Sequence, residues 1–442
     1  MAGVRVLSRN NKHLYLSWET LKCIGVNSTG AIILEAFDKG ATIAQVTKEC
    51  ARVYGIEDEE VMVRLLPFVN LMLEQGILKD EHSPKIKVDM SVGTGFPIKS
   101  LYVHVTDRCT HNCIYCYNAK SRKISQSSGI PELSREEILK LIREMKELGG
   151  TEIVFTGGEP LLRENLIEIA EEARKLDLKT LLLTNGVLIT PHNATLLART
   201  FDSITISLDS WIREEHEFQR GYGTFDPTIR GIKLMVQQGV SNVVIRIVVT
   251  ERTVDSLPGF PKFGQDVLGC TKFLVQPYLP NSMAELSELN LFPQIDRYFS
   301  ALADFSKRLE EVGGARILNE DTVSLSPKCG AGNRVFSVDA RGNLYPCQAL
   351  HHAEFCCGNI RFSSLRQLIE ESPIMKIFQE LNVSLIPHCN KCKLMLLCGG
   401  GCRAIAFNLY KKIDAYNEFL CPYLQREIEQ RIWIASEKHS VV

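Results

Sequence analysis

The chain has no surplus of either charge: 51 Lys and Arg stand against 52 Asp and Glu, a net charge of -1. A protein whose main partner was DNA, RNA or an anionic membrane would carry a basic excess, so bulk electrostatics argues against those classes. Long apolar runs are missing as well. The stretch TLLLTNGVLI at residues 180–189 is broken by Asn185 and Gly186 and is too short to cross a bilayer. The N-terminal MAGVRVLSRNNKHLYLSWE lacks the unbroken apolar segment of a signal peptide, so the expected compartment is the cytoplasm. No internal repeat or low-complexity tract is evident.

What is present is a globular composition, 45% hydrophobic and 23% charged over 442 residues, long enough for two or three domains. Cysteine is the exception, with 15 residues unevenly spread. Cys109, Cys113 and Cys116 form one group, and nine more fall between residues 329 and 421. Only Cys23, Cys50 and Cys270 stand apart. Cytosolic thiols stay reduced, so this clustering points to metal or cluster ligation rather than disulfides.

Three regions differ in pattern. Residues 1 to 82 read as a small α+β module: VRVL and HLYLSW as strands around RNNK, LKCIGV as a third, then three helices. Ser28 is expected to cap the first helix and Thr42 the second. Charged, Gly- and Pro-containing residues 83–99 read as a linker. From 100 to 315, the strand candidates SLYVHVT, EIVFTG, LKTLLLTNG, SITISLD, VVIRIVVT and KFLVQPYL alternate with amphipathic helices. Repeated βα units predict a parallel sheet, and six strands suit a partial barrel better than eight. Beyond 316 helical periodicity thins, and residues 316–442 are expected to owe their order to bound metal.

After the first barrel strand, DRCTHNCIYCYNA spaces Cys109, Cys113 and Cys116 by three and two residues. Three thiolates on one loop can hold three irons of a 4Fe–4S cube and leave the fourth open, whereas structural zinc wants four ligands. The sequence here resembles the radical S-adenosylmethionine (SAM) enzymes, whose signature is CxxxCxφC with Tyr115 in the aromatic place. The resemblance implies that the open iron chelates SAM and that the catalytic chemistry is a 5′-deoxyadenosyl radical. TGGEP, with Gly157, Gly158, Glu159 and Pro160, follows the second strand as the family's methionine-amine motif does. Its glycines would let backbone carbonyls approach the ligand, and its carboxylate would balance the ammonium. Ser207 and Asp209 in SLDS resemble the ribose-binding strand end, although a plain N-cap reading competes for either. Asn185 and Arg246 are carried over as cofactor contacts, and Gln276, Tyr278, Arg220 and Arg246 as pocket liners. Cys50 and Cys23 are read as small buried hydrophobes.

The tail runs Cys329-x12-Gly342-x4-Cys347, then Cys389-x2-Cys392-x5-Cys398-x3-Cys402, then Cys421. This resembles the seven-cysteine SPASM extension, with paired zinc knuckles as the alternative. The resemblance assigns Cys389, Cys392, Cys398 and Cys421 to a distal auxiliary cluster and Cys329, Cys347 and Cys402 to a nearer one. It thus implies three 4Fe–4S clusters in all. The nearer cluster is one ligand short. Either Cys356 or Cys357 supplies the fourth, or the site is open to a substrate thiolate.

The N-terminal module resembles the recognition element of ribosomally made, post-translationally modified peptide (RiPP) systems, which adds a leader peptide as a strand to its sheet edge. A winged-helix DNA binder is the competing reading; the third helix, with one Arg and no Lys, is poor material for phosphate contacts. Together the resemblances imply an α/β fold: a partial (β/α)6 radical SAM barrel with an N-terminal winged-helix-like α+β recognition domain and a C-terminal Cys-rich iron–sulfur SPASM domain. The implied partners are a precursor peptide and a flavodoxin- or ferredoxin-type reductant, without nucleic acid or membrane. The implied reaction is thioether crosslinking of sactipeptide or ranthipeptide type. Carbon–carbon crosslinking, epimerisation, sulfatase-type formylglycine maturation and a non-catalytic iron–sulfur peptide carrier are the alternatives.

Overall fold

Strands β1 (Val4–Arg9), β2 (Lys12–Ser17) and β3 (Lys22–Asn27) pair antiparallel in chain order and are followed by helices Ser28–Asp38, Ile43–Tyr54 and Asp58–Glu74. The structure is a computed structural model and describes residues 4–9, 11–17, 22–79, 98–239, 243–316 and 328–438. Most of the linker expected at 83–99, and the side chain of Cys23, lie outside the described residues. The first helix is capped by Asn27, whose Oδ1 accepts from Gly30 N at 2.8 Å, one residue before the expected Ser28. Thr42 does cap the second, in a reciprocal box with Gln45. Tyr15, Val26, Leu34 and Met72 make a small core between sheet and helices. Cys50 packs, half-buried, among the apolar side chains of the last two helices.

The large sheet holds six parallel strands in sequential order: β4 (Ser100–His104), β5 (Glu152–Thr156), β6 (Lys179–Thr184), β7 (Ser203–Ser207), β8 (Val243–Val249) and β9 (Lys272–Pro277). Each expected strand is present but ends one or two residues early, because the chain turns there into the loops that build the site. β4 and β9 do not pair with each other. Instead β10 (Ala315–Arg316) adds beside β9, and β11 (Val335–Val338) adds parallel to β4 with β12 (Leu344–Tyr345) antiparallel outside it.

The sheet therefore runs past residue 316, and the Cys-rich region contributes to the main core. Phe336, Val338, Leu344, Ile360 and Leu365 join Leu101, Phe155, Ile204 and Ile245 in one apolar cluster. That region also carries helices Leu365–Glu371, Pro373–Glu380, Arg403–Tyr410 and Cys421–Lys438, so packing as well as any metal orders it. Alternate residues of the strands face the other way, into the concave side. There Tyr102, Ser207, Arg246 and Gln276 are incompletely buried while their neighbours are covered by helices. No helix among the described residues is long and apolar enough to cross a membrane.

Candidate active site

The loop after β4 carries Cys109, Cys113 and Cys116, and the loop after β5 is fastened to it. Gly158 N donates to Thr106 O and Glu159 N to Arg108 O, both at 2.8 Å. A Cβ on Gly157 would stand 2.4 Å from Thr106 O, and one on Gly158 2.0 Å from Arg108 O. The glycines thus serve first to let the cysteine loop pass, a reason the spacing alone does not give. Arg122, which the sequence reading did not single out, approaches Cys116 Sγ with Nη2 at 4.0 Å and also lies near Cys109. Burial pushes the Cys113 thiol up to about 11 and raises Cys109 as well. Those two thiols, when free, stay protonated at neutral pH, and a bound metal must displace the protons.

Glu159 is fully enclosed. Its Oε1 accepts from Thr184 Oγ1 (2.7 Å) and Leu161 N (3.1 Å), and Oε2 from Asn185 N (2.9 Å). Burial raises its carboxyl to about 7 against the pull of those three donors. Pro160, buried, opens the short turn that follows. Asn185 reaches back to the cysteine loop: Nδ2 lies 2.9 Å from Thr110 Oγ1 and 2.6 Å from His111 Nδ1. His111 Nε2 is buried without a hydrogen-bond partner among the described residues. Glu159, Asn185 and the cysteine loop are therefore one connected group.

Asp209 has different company from a ribose contact. Its side chain has no exposure and takes Arg220 Nε at 2.6 Å and Nη2 at 3.1 Å, Val248 N at 3.1 Å, and the Tyr115 hydroxyl. Burial would raise its carboxyl, but Arg220 and Tyr115 outweigh that and hold it below the usual range. Arg220 is thus an ion-pair partner rather than a pocket liner. The residue before it, Gln219, accepts from Ile114 N at 3.0 Å, so helix Arg213–Arg220 anchors the cysteine loop through Ile114 and Tyr115. Tyr278 packs 6.2 Å from Tyr115 and donates to Glu285, which lines the cavity described below. Ser207 and Arg246 face each other across β7 and β8, and Arg246 Nε is buried with no hydrogen-bond partner among the described residues.

A cavity of about 660 Å³ lies between the cysteine loop and the Cys-rich region. Cys113, Cys116 and Tyr117 line one wall; Gln348, Ala349 and His351 line the opposite one. Cys347, next to Gln348, sits with Cys329 and Cys402 in one packed cluster, and burial together with the other two sulfurs pushes its thiol up. Cys356 joins that cluster beside Tyr345 and Asp339, while Cys357 turns into the main core. Cys270 is buried, its Sγ 3.4 Å from Val243 O.

Cys389, Cys392, Cys398 and Cys421 line a second cavity of about 390 Å³. Among the described residues no group of three or more His, Cys, Asp or Glu converges closely enough to share one metal ion. A cube spreads its thiolates over separate corners, so four sulfurs around one void fit a cluster better than a zinc knuckle. The residues fit the cofactors the resemblance implies: three thiols on one loop with the Arg122 guanidinium beside Cys116, and four more sulfurs around one void.

Residues 103–257 match the radical SAM superfamily, 329–393 the iron–sulfur cluster-binding SPASM domain, and 13–78 coenzyme PQQ synthesis protein D. A probable GTP 3′,8-cyclase of Methanosarcina acetivorans is 30% identical over 296 residues, 62% of this chain and 83% of that protein. A second such protein, from Methanopyrus kandleri, is 35% identical over 184 residues, 41% of this chain, and the chain spans 58% of its length. The mycofactocin maturase MftC of Mycobacterium tuberculosis is 27% identical over 338 residues, 73% of this chain and 83% of that one. Among solved structures, native anSMEcpe with bound AdoMet superposes with a TM-score of 0.64 at 22% identity over 78% of this chain and all of that one. Streptococcus suis SuiB bound to precursor peptide SuiA gives 0.60 at 14% identity over 95% and 98%.

Proposed function

The chain belongs to the radical SAM superfamily, and on that premise we propose that it modifies a ribosomally made precursor peptide, joining a cysteine sulfur to carbon as a thioether. One observation carries the reading: a single 660 Å³ cavity is bounded by Cys113 and Cys116 on one side and by the neighbours of Cys347 on the other. A substrate there would touch the radical-generating and the auxiliary sites together. The N-terminal sheet supports a peptide as substrate. It resembles coenzyme PQQ synthesis protein D, and among the described residues β3 pairs on one side only, an edge that suits a leader strand. MftC is named a maturase and SuiB is described with a precursor peptide, which agrees.

Cys109, Cys113 and Cys116 would hold the SAM-binding cluster. Cys329, Cys347 and Cys402 would hold the nearer auxiliary cluster, and the four cysteines of the second cavity the distal one. Bound there, cluster and SAM supply a 5′-deoxyadenosyl radical able to take hydrogen from an unactivated carbon. Glu159 and the Gly157–Gly158 cradle would receive the methionine amine, Arg246 an anionic or polar group of the cofactor, and Ser207 its ribose. Asp209 serves by fixing Tyr115 and Arg220. Each link forms with loss of two hydrogens. A cytoplasmic setting with a flavodoxin- or ferredoxin-type donor suits thiols that must stay reduced.

The test is mass spectrometry of a cysteine-rich peptide encoded beside this gene, co-expressed anaerobically with the enzyme. Loss of hydrogens in pairs with thiols that resist alkylation supports the reading. Loss with free thiols replaces the thioether by a carbon–carbon bond, and an unmodified peptide overturns crosslinking.

A further inference from the structure

The segment His13-Leu14-Tyr15 puts apolar side chains on both faces of β2. Tyr15 faces the module's own helices. Leu14 faces away, paired across the sheet with Leu7 and with Gly25, which offers no side chain beside it. It is nevertheless only 1% exposed, because Leu394, Leu397, Ile428 and the side chain of Cys392 close over it. Those partners come from two separate segments. Cys392, Leu394 and Leu397 belong to the short turns that carry Cys389, Cys392 and Cys398; Ile428 belongs to helix Cys421–Lys438, which begins at the fourth cysteine of the same cavity. Leu394 and Cys392 line that cavity from the inside.

We propose that Leu14 is a positioning residue of the distal iron–sulfur site. The N-terminal sheet clamps the two ligand-bearing segments together and keeps water from the cluster, so peptide recognition and cluster integrity are coupled. This rests on the reading that the four cysteines hold a cluster. The ligand turns are too short to hold their own shape, a 3-10 turn at Cys389–Lys391 and four residues at Met395–Cys398. His388 beside them adopts φ 65°, a left-handed conformation that only its surroundings sustain. A partner that orders such turns raises metal retention, and by linkage the metal secures the partner.

The test uses the full, anaerobically reconstituted chain. Leu14→Ala should release distal-site iron to a chelator about tenfold faster, as outer-shell changes at metal sites do. The distal reduction potential should move positive, since water stabilises the more negative reduced cluster. The electron paramagnetic resonance signal of the SAM cluster should stay unchanged, and Leu14→Met should restore slow release. Release and potential equal to wild type in Leu14→Ala overturn the proposal. If that variant does not fold, hydrogen exchange at residues 12–17 is compared between wild type and Cys389→Ala/Cys392→Ala. Faster exchange without the cluster supports the coupling; equal exchange overturns it. A wild-type chain that loads no distal cluster defeats the underlying reading instead, a result separately visible in its iron content.

Discussion

Replacing Arg220 with Met would strip the fully buried Asp209 carboxylate of its charge partner while keeping a side chain of similar length. Both Arg220 contacts, at 2.6 and 3.1 Å, vanish, and only Val248 N and the Tyr115 hydroxyl remain. Removing one member of a buried pair costs about 3–5 kcal/mol, two to four powers of ten in the folding equilibrium. The pH dependence identifies the cause. In the wild type Asp209 titrates below its usual range, so its contribution is present above the unfolded value and lost only in acid. In Arg220→Met, burial is no longer opposed by a cation and the carboxyl titrates above its unfolded value. Its contribution is then full in acid and lost as pH rises through the folded value. Urea denaturation between pH 4 and 8 should show a penalty that grows with pH in Arg220→Met, and Asp209→Asn/Arg220→Met should lose that slope. The cysteine loop should loosen too, releasing iron from the SAM site, because Gln219 and Asp209 hold Ile114 and Tyr115. An Arg220→Met protein as stable as wild type at pH 8, with a flat profile, would refute the reasoning.

Gly158→Ala drives a Cβ against Arg108 O at 2.0 Å and should cut both iron at the SAM site and 5′-deoxyadenosine formation. Gly129→Ala, which meets nothing within 4 Å, should leave both intact and pay only a local backbone strain. Glu159, raised to about 7, must lose its proton to hold an ammonium. Calorimetric SAM affinity of the cluster-loaded protein should therefore weaken about tenfold per unit below that pH, and Glu159→Gln should remove the slope. Cys357→Ala, whose sulfur faces the main core, should keep full iron, whereas Cys347→Ala should lose one cluster's share; the reverse pattern would overturn the assignment.

The chemistry was legible in the chain because it is local. Three thiols three and two residues apart after a strand, and Gly-Gly-Glu-Pro after the next, keep their meaning wherever the loops lie. The βα alternation likewise announced six parallel strands, since each buried strand shows its own apolar run. Strand ends were less legible, because β4 stops at His104 only where Thr106 and Arg108 meet the Gly158 loop. In the Cys-rich region β11 and β12 are four and two residues long. No periodicity shows in so few residues, and their place beside β4 is fixed by pairing with a strand more than 200 residues earlier in the chain.

By itself the sequence determined the clustering of the cysteines, the order of the modules and the parallel sheet, all set by spacing and hydrophobic pattern along the chain. Only the tertiary structure decided that Asp209 faces Arg220, that Cys357 turns into the main core while Cys356 packs near Tyr345 and Asp339, and that Leu14 closes on Leu394 and Cys392. Those choices depend on which charge, sulfur or apolar surface a distant segment brings within contact range, and burial fixes them once the elements have packed.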